Sequence, residues 1–368
     1  MKIVVVAFSI LPDPGPRAQR TTELVKEFAR LGHEVEVYTL TGSYDFSEFE
    51  NESKVKVISL GKTYLVNFDY DSTKKIPLIA RVLTKVFKNV LEVPYIELVR
   101  NVYHTLKLNF NNANLLISIA NPYPIHWGVA LFKQRYPVRM KNTTWVADCG
   151  DPYMGNPFSS KPFYFKYIEK WFCRKADFIS IPIEEARNAY YPEFKEKIKV
   201  IPQGFNFNPL PKNVVFVKNT IPTFIYAGNF YKKQRDPSIL LEYLFESKLN
   251  FKFIVYTKTP EFLDKFKKYH GNKIEVFDYI SRDKLLIEMS KADFLLNLEN
   301  PTSVQSPSKL IDYALTNRPI LSINTNRELD TEIINQFIQG NYNNRLVIDN
   351  IERYNITNVA NQFLELIN

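Results

Sequence analysis

The chain has 368 residues, more than one ordinary hydrophobic core supports, so two domains are expected. Apolar residues make up 45% and charged residues 24%, the balance of a soluble globular protein. No apolar run reaches the roughly 18–20 residues needed to cross a bilayer. The net charge of +9 invites anionic partners, yet no zinc-finger, RNP or basic-arm pattern accompanies it, so nucleic acid is not expected. Cys149 and Cys173 make neither a disulfide framework nor a metal site. The apolar N-terminus runs into Pro12, Asp13 and Pro14 without a small-residue cleavage site, which reads as a buried strand and implies a cytosolic protein.

In chain order, Lys2–Phe8 reads as a strand. Arg17–Leu31 reads as a helix with Leu24, Val25, Phe28 and Leu31 on one face and Gly32 ending it. Val35–Leu40 and Val55–Leu60 are further strands, and 61–110 forms a basic, helical insertion. The strand Leu115–Ala120, a helix from Ile125, the strand Thr143–Ala147, a helix over Phe163–Arg174 and the strand Phe178–Pro182 follow. Such alternation implies a parallel sheet covered on both faces. Gln203–Lys218, rich in Pro and Asn, reads as a linker. A second alternation then runs through the strand Phe224–Ala227, the helix Pro237–Glu246, the strand Phe251–Tyr256, the helix Pro260–Tyr269, the strand Ile274–Phe277, the helix Arg282–Met289 and the strand Phe294–Leu298.

The expectation is an α/β chain of two doubly wound, Rossmann-like domains facing across a cleft. One domain would span 1–206 and the other 207–350, with a C-terminal helix at about 351–368 packing back on the first. Ligands in such sheets sit beyond the C-terminal strand ends. Gly15 and Gly228 are single glycines in the first loops, not the full dinucleotide fingerprint, which argues against a nicotinamide or flavin enzyme.

Residues 306–319, Ser-Pro-Ser-Lys-Leu-Ile-Asp-Tyr-Ala-Leu-Thr-Asn-Arg-Pro, are the most informative stretch. Ser306 suits an N-cap and Pro307 the first helical position. Lys309 then adds a full charge to a helix N-terminus that already favours anions, and Asp312 shares its face. A phosphate at the lysine would leave a sugar hydroxyl near the carboxylate, which suits a nucleotide-sugar. The plainer alternative is a solvated pair. The strand Ile320–Ile323 follows at once.

Several loops together resemble the GT-B fold glycosyltransferases, in particular the large group-one (family 4-like) class. The matching pieces are Gly-Pro-Arg (15–17), Leu-Gly-His-Glu-Val-Glu-Val (31–37), Asn-Pro-Tyr-Pro-Ile-His (121–126), Ala-Asp-Cys-Gly-Asp-Pro-Tyr (147–153), Lys-Ala-Asp-Phe-Ile-Ser (175–180), Val-Ile-Pro-Gln-Gly-Phe (200–205), Tyr-Ala-Gly-Asn-Phe-Tyr-Lys-Lys-Gln-Arg-Asp-Pro (226–237) and Pro-Ser-Lys-Leu-Ile-Asp-Tyr-Ala-Leu (307–315). The resemblance implies a sugar transferase that is usually retaining, needs no metal or other cofactor, and takes a nucleotide-sugar, UDP-linked, to a glycan or lipid-linked acceptor in surface polysaccharide assembly.

It also implies roles, with domain 1–206 binding the acceptor and domain 207–350 the nucleotide-sugar donor. Gly228 and Asn229 would let backbone approach the diphosphate, Arg235 and Lys309 would neutralise it, and Ser308 and Leu310 flank the lysine. Asp312 falls where the family has a ribose-binding glutamate, and Tyr279 and Ile280 where it holds the nucleobase. His126 would face the donor sugar. Asp148 and Asp151 would point to the cleft, one of them as base if the enzyme inverts, and Gly15 and Arg17 would lie near the acceptor. Plainer readings stay open: a packed Tyr279, a histidine with satisfied hydrogen bonds, a solvated turn at Lys232 and Lys233.

Departures stand beside these. Family members commonly carry two glutamates separated by seven residues. Asp312 stands for the second, Val304 occupies the place of the first, and Glu299 lies nearby. Alternatives are a sugar-nucleotide 2-epimerase of the same fold, a non-catalytic nucleotide-sugar-binding protein, or a periplasmic binding protein, which the absent signal peptide disfavours. Finally, 77–91 shows a helical period with Arg81, Lys85 and Lys88 on its polar side, after Lys74 and Lys75. The 74–91 segment would contact an anionic membrane at the inner face of the plasma membrane, or pack its apolar side on the sheet.

Overall fold

Strand β1 (Lys2–Val6) shows why the first sheet is buried on both faces. Ile3 and Val5 join one apolar cluster, Val4 and Val6 another, and all four are inaccessible to solvent. The period of two sends successive side chains to opposite sides of the sheet. The computed structural model describes residues 1–66, 68, 87, 90–156, 161–207, 218–232, 235–299 and 308–367. It divides into two units, one of residues 1–205 with 353–368, the other of 206–352.

In the first unit β1 is followed by α1 (Pro16–Arg30), β2 (Glu34–Thr39), α2 (Ser47–Ser53), β3 (Val55–Ser59), α3 (Glu97–Asn109), β4 (Leu115–Ile119), α4 (Pro124–Arg135), β5 (Thr144–Asp148), α5 (Phe165–Lys175), β6 (Phe178–Ile181) and β7 (Ile198–Val200). The sheet order is β3-β2-β1-β4-β5-β6-β7, every pairing parallel. Helix α1 begins with Pro16 at its first turn, buries Leu24, Val25 and Phe28, and is ended by Gly32 at φ +84°. The last helix of the chain packs beside it through Ile356, Val359 and Phe363.

The second unit contains β8 (Thr223–Ala227), α6 (Ser238–Glu246), β9 (Lys252–Tyr256), β10 (Ile274–Phe277), α7 (Arg282–Ser290), β11 (Phe294–Leu298), α8 (Ser308–Leu315), β12 (Ile320–Ile323) and α9 (Thr331–Ile338). The final helix, α10 (Ile356–Leu364), belongs to the first unit. The second sheet runs β10-β9-β8-β11-β12, again all parallel. Phe224 at its centre stacks between Phe253 and Phe294, with centroids 4.6 and 4.9 Å away. The strand order reverses direction beside β8, between β9 and β11. Loops diverge there and leave room for a ligand.

Several elements differ from the sequence expectation. Pro260–Tyr269 is a 3-10 helix, whose three-residue turn carries both Leu263 and Phe266 inward. The short α2, β7 and α9 were not expected. Helix α9 is started by Asp330, whose side chain accepts from the Ile333 amide. Within the 61–110 insertion α3 is helical, whereas the helix expected over 77–91 falls outside the described residues apart from Phe87, Val90 and Leu91. Residues 208–217 of the expected linker, and Val304, Ser306 and Pro307, also lie outside them.

Candidate functional site

The C-terminal ends of β8, β9 and β10 and the start of α8 enclose a cavity of about 370 Å³ in the second unit. Gly228 leaves β8 at φ +147°, where a side chain is disfavoured, and its N–H donates to the Tyr256 carbonyl at 3.0 Å. Asn229 ties the floor together. Its Oδ1 accepts from the Lys258 amide at 3.1 Å and from the Tyr279 hydroxyl at 2.9 Å, and its carbonyl accepts from Tyr226. Arg235 places its guanidinium 5.8 Å from the Tyr231 ring centroid. Tyr279 and Ile280 line the same cavity.

Lys309 enters from the first turn of α8. Its Nζ lies 4.7 Å from the Tyr226 ring centroid and has no hydrogen-bond partner among the described residues. Burial, reinforced by the Arg235 charge, pulls its ammonium down to about 7. Asp312 does not pair with Lys309, despite the i, i+3 spacing. Its Oδ1 is held instead by Arg282, at 2.8 Å from Nε and 2.7 Å from Nη2. Burial raises the Asp312 carboxyl above its ordinary range, and Arg282 acts against that rise. With the carboxylate balanced by Arg282, the two cations Arg235 and Lys309 give the cavity a net positive character. The cavity also lies at the first turn of α8, and a helix N-terminus favours anions, so the arrangement suits an anion.

Seven of the donor-binding residues expected from sequence therefore line one cavity: Gly228, Asn229, Arg235, Tyr279, Ile280, Lys309 and Asp312. Ser308 opens α8 beside it, and Leu310 packs instead against the apolar cluster under β8 and β11. Sequence reasoning gave no role to Ala227, Tyr231, Tyr256, Leu285, Met289 and Tyr313, which complete the lining, or to Arg282 behind it. Tyr313 was findable as the neighbour of Asp312; its hydroxyl accepts from the Ala227 amide at 2.9 Å and docks α8 on β8. Glu299, after β11, accepts from Ser322 Oγ at 3.1 Å.

In the first unit the expected residues collect at the C-terminal ends of β1, β4 and β5, but two of them are corrections. His126 does not face an open site. It is wholly buried, with Nδ1 2.7 Å from Ser118 Oγ and Nε2 3.5 Å from Cys149 Sγ, and its ring stacks on Phe172. Burial depresses its imidazole to about 3, so it stays neutral. Helix α4 is buried along most of its length at this point, which draws the histidine inward.

Asp148 is likewise enclosed. Arg20 donates to both of its oxygens at 2.7 and 2.8 Å, and Ser180 donates to Oδ1. Burial pushes its carboxyl up, but Arg20 and then Arg17 outweigh it and hold the group below its ordinary value. Asp151 remains exposed, and its carbonyl accepts from the Tyr123 hydroxyl. Gly15 starts α1, and Arg17 reaches within 3.6 Å of Asp148. Cys149 and Cys173 are buried and free. No cluster of His, Cys, Asp and Glu able to hold a metal occurs among the described residues.

No family model matches the chain, and no curated protein matches its sequence. Solved structures match it over its whole length, and they show that it has the fold of the GT-B glycosyltransferases. A glycosyltransferase from Rickettsia africae ESF-5 is 13% identical with a TM-score of 0.59, covering 100% of this chain and 94% of that one. TarM is 11% identical with a TM-score of 0.62, over 100% and 98%. Anabaena Alr3699/HepE, solved with UDP and glucose, is 13% identical with a TM-score of 0.59, over 99% and 98%.

Proposed function

We propose that the protein is a glycosyltransferase that takes a sugar from a UDP-linked donor and passes it, with retention, to a glycan or lipid-linked acceptor in surface polysaccharide assembly. The observation that carries this reading is the buried Lys309 ammonium, without a hydrogen-bond partner among the described residues, beside Arg235 in a cavity lined by Gly228 and the start of α8. A nucleoside diphosphate supplies the missing anions. The fold shared with the Anabaena protein solved with UDP and glucose points the same way.

In the reaction, the bond between the sugar C1 and the β-phosphate oxygen breaks, and its electron pair stays on that oxygen. Arg235 and Lys309 stabilise the charge developing there. The acceptor oxygen bonds to C1 from the same face, and its proton passes to the departing phosphate. Asp148 is unsuited to act as base, since Arg20 occupies both of its oxygens. Retention by this route asks for no protein base, and side-chain cations fill the place a metal takes elsewhere.

We also keep the setting expected from sequence, the cytoplasmic face of a membrane with peripheral contact through 74–91. No helix among the described residues is long and apolar enough to cross a bilayer. Val90 and Leu91, at the end of that segment, are exposed, and Tyr164 donates to the Val90 carbonyl beside exposed Phe163 and Tyr167.

The test is a panel of nucleoside diphosphates read by thermal unfolding, since a ligand of the native state raises the transition. UDP is expected to stabilise. No response to any nucleotide overturns the reading. Slow hydrolysis of a UDP-sugar, lost in Lys309→Ala and Arg235→Ala, separates catalysis from mere binding.

A further inference from the structure

Resting on the reading of the second unit's cavity as an anion site, we infer that Lys309 is a covalent modification site, an amine that takes the acyl group from an acyl phosphate whose phosphate the cavity holds. Three observations meet at its Nζ. The lysine lines the cavity, its Nζ lies 4.7 Å from the Tyr226 ring centroid, and that nitrogen has no hydrogen-bond partner among the described residues. The Arg235 guanidinium bears on the hydroxyl of the same tyrosine, so a single ring connects the two cations. Desolvation beside a second cation frees an amine's lone pair near neutral pH.

Lys197 shows that burial alone is not enough. Burial pulls its ammonium down as well. Its Nζ, however, donates to the carbonyls of Cys173, Arg174 and Ala176 at 3.2, 3.0 and 2.6 Å. Three acceptors occupy all three N–H groups and hold the charged form in place. Lys309 has the burial without the acceptors, and a second cation beside it.

The step needs no further reagent. The neutral Nζ adds to the carbonyl carbon. The bond from that carbon to the bridging oxygen breaks, its electron pair leaves with the phosphate, and the surplus amine proton passes to the same phosphate. The products are an amide and hydrogen phosphate. Arg235 and the first turn of α8 meet the charge that gathers on the leaving group. Nζ is itself covered, so the side chain turns about its terminal bonds into the cavity to reach the carbonyl, and no hydrogen bond among the described residues resists that turn. The amide is neutral. Acylation thus removes one of the cavity's two cations and switches off diphosphate binding.

Burial first, and Arg235 second, pull the Lys309 ammonium down to about 7, so most of the amine is neutral at about pH 7.5. The other charged groups nearby are Asp312 on its own helix and Arg282 on α7, which hold each other. The remaining titratable groups of the lining are Tyr226, Tyr231, Tyr256, Tyr279 and Tyr313. A less basic amine is also a weaker nucleophile, which offsets part of the gain and leaves about tenfold.

The experiment incubates the full chain with acetyl phosphate at about pH 6 to 9 and follows acetylation of each lysine by peptide mass spectrometry, with and without UDP or inorganic phosphate. Lys309 is expected to react about tenfold faster at pH 7.5 than Lys197 or than exposed Lys267 and Lys291. Its rate should level off above about pH 8, and either anion should protect it. Arg235→Ala should slow the reaction with acetyl phosphate about tenfold at pH 9, where the amine is neutral with or without the arginine. Phenyl acetate, which has no phosphate to anchor, should react with both proteins alike. The acetylated protein should bind UDP about a hundredfold more weakly.

Reaction at Lys309 no faster than at Lys291 overturns the inference, as does an acetyl phosphate rate that neither inorganic phosphate nor Arg235→Ala lowers. The protection by phosphate needs no variant, so it decides the matter if Arg235→Ala fails to fold. Fast, phosphate-protected acetylation in a protein that no nucleoside diphosphate stabilises would uphold the inference and overturn the nucleotide-sugar reading alone.

Discussion

Each unit buries a strongly charged centre, and the two are finished differently. In the first, Arg20 meets both oxygens of Asp148 and also donates to the carbonyls of Pro202 and Ile201, while Ser180 completes the carboxylate. Almost every polar atom there has a partner, so the centre ties α1, β5, β6 and the segment after β7 into one piece. In the second, Lys309 is buried with no hydrogen-bond partner among the described residues and sits in a cavity. A satisfied buried ion pair holds structure; an unsatisfied one waits for a ligand. Charge and burial alone do not separate these cases. The hydrogen-bond inventory does.

The largest expected effect lies in the satisfied centre. Arg20→Met leaves the buried Asp148 carboxylate with only the Ser180 hydroxyl and the more distant Arg17, and should cost about 3 kcal/mol of stability in chemical denaturation. A loss below about 1 kcal/mol would mean that water reaches Asp148 and that the contrast between the centres is smaller than drawn.

Lys309→Met should act in the opposite direction. Its ammonium is pulled down to about 7 in the folded protein from an ordinary value near 10.5. The unfolded chain therefore binds more protons between those values, so this lysine's cost to folding is fully present below about pH 7 and fades as pH rises toward 10.5. The variant should gain about 1–3 kcal/mol near pH 7 and lose about a hundredfold in UDP affinity. A variant that is both less stable and still binds UDP would show the lysine to be structural. In the wild type, binding a diphosphate must recharge the lysine, so UDP affinity should weaken above pH 7, by at most about tenfold per pH unit.

How much of this was legible beforehand depended on range. The alternation in β1, the single glycine after β8 and the Lys309 stretch are local; local spacing located the sheets and singled out Lys309 and Asp312, while the other expected lining residues came from the resemblance of the loops. Arg20 and Asp148 are 128 positions apart, and no spacing joins them. A sign was present nonetheless. Arg20 stands on the same helical stripe as Leu24 and Phe28, and a charge on an apolar stripe implies a buried partner elsewhere. His126 was misplaced for a related reason: Ile125, Trp127, Val129 and Ala130 around it are all buried, so that turn of α4 has little outward face. The plainer reading of Asp312, a solvated pair with Lys309, looked to the nearest cation in sequence, whereas packing of α7 against α8 supplies Arg282.

The smallest effect tests whether the contrast is general. Glu169, on α5 in the first unit, is also buried; neither oxygen meets full hydrogen-bond geometry among the described residues, although Tyr191 and the Met154 and Tyr153 backbone lie near enough to work against the rise of its carboxyl. By the rule drawn from Lys309 it too might be thought to wait for a ligand. The difference is the route by which the charge is removed. Burial raises the Glu169 carboxyl to about 7 from an ordinary value of 4.5, so near neutrality it discharges by taking up a proton. A group raised on folding contributes fully below its unfolded value, and that contribution is lost as pH climbs through the folded one. Glu169→Gln, a neutral copy of the protonated form, should therefore match the wild type at pH 5 and exceed it by about 1–2 kcal/mol at pH 8, read as a shift in the denaturation midpoint. The same shift at both pH values would show that folding leaves the carboxyl's proton affinity unchanged. A loss at pH 8 would show that it has an ionic partner, and would place Glu169 with Asp148 among the finished centres.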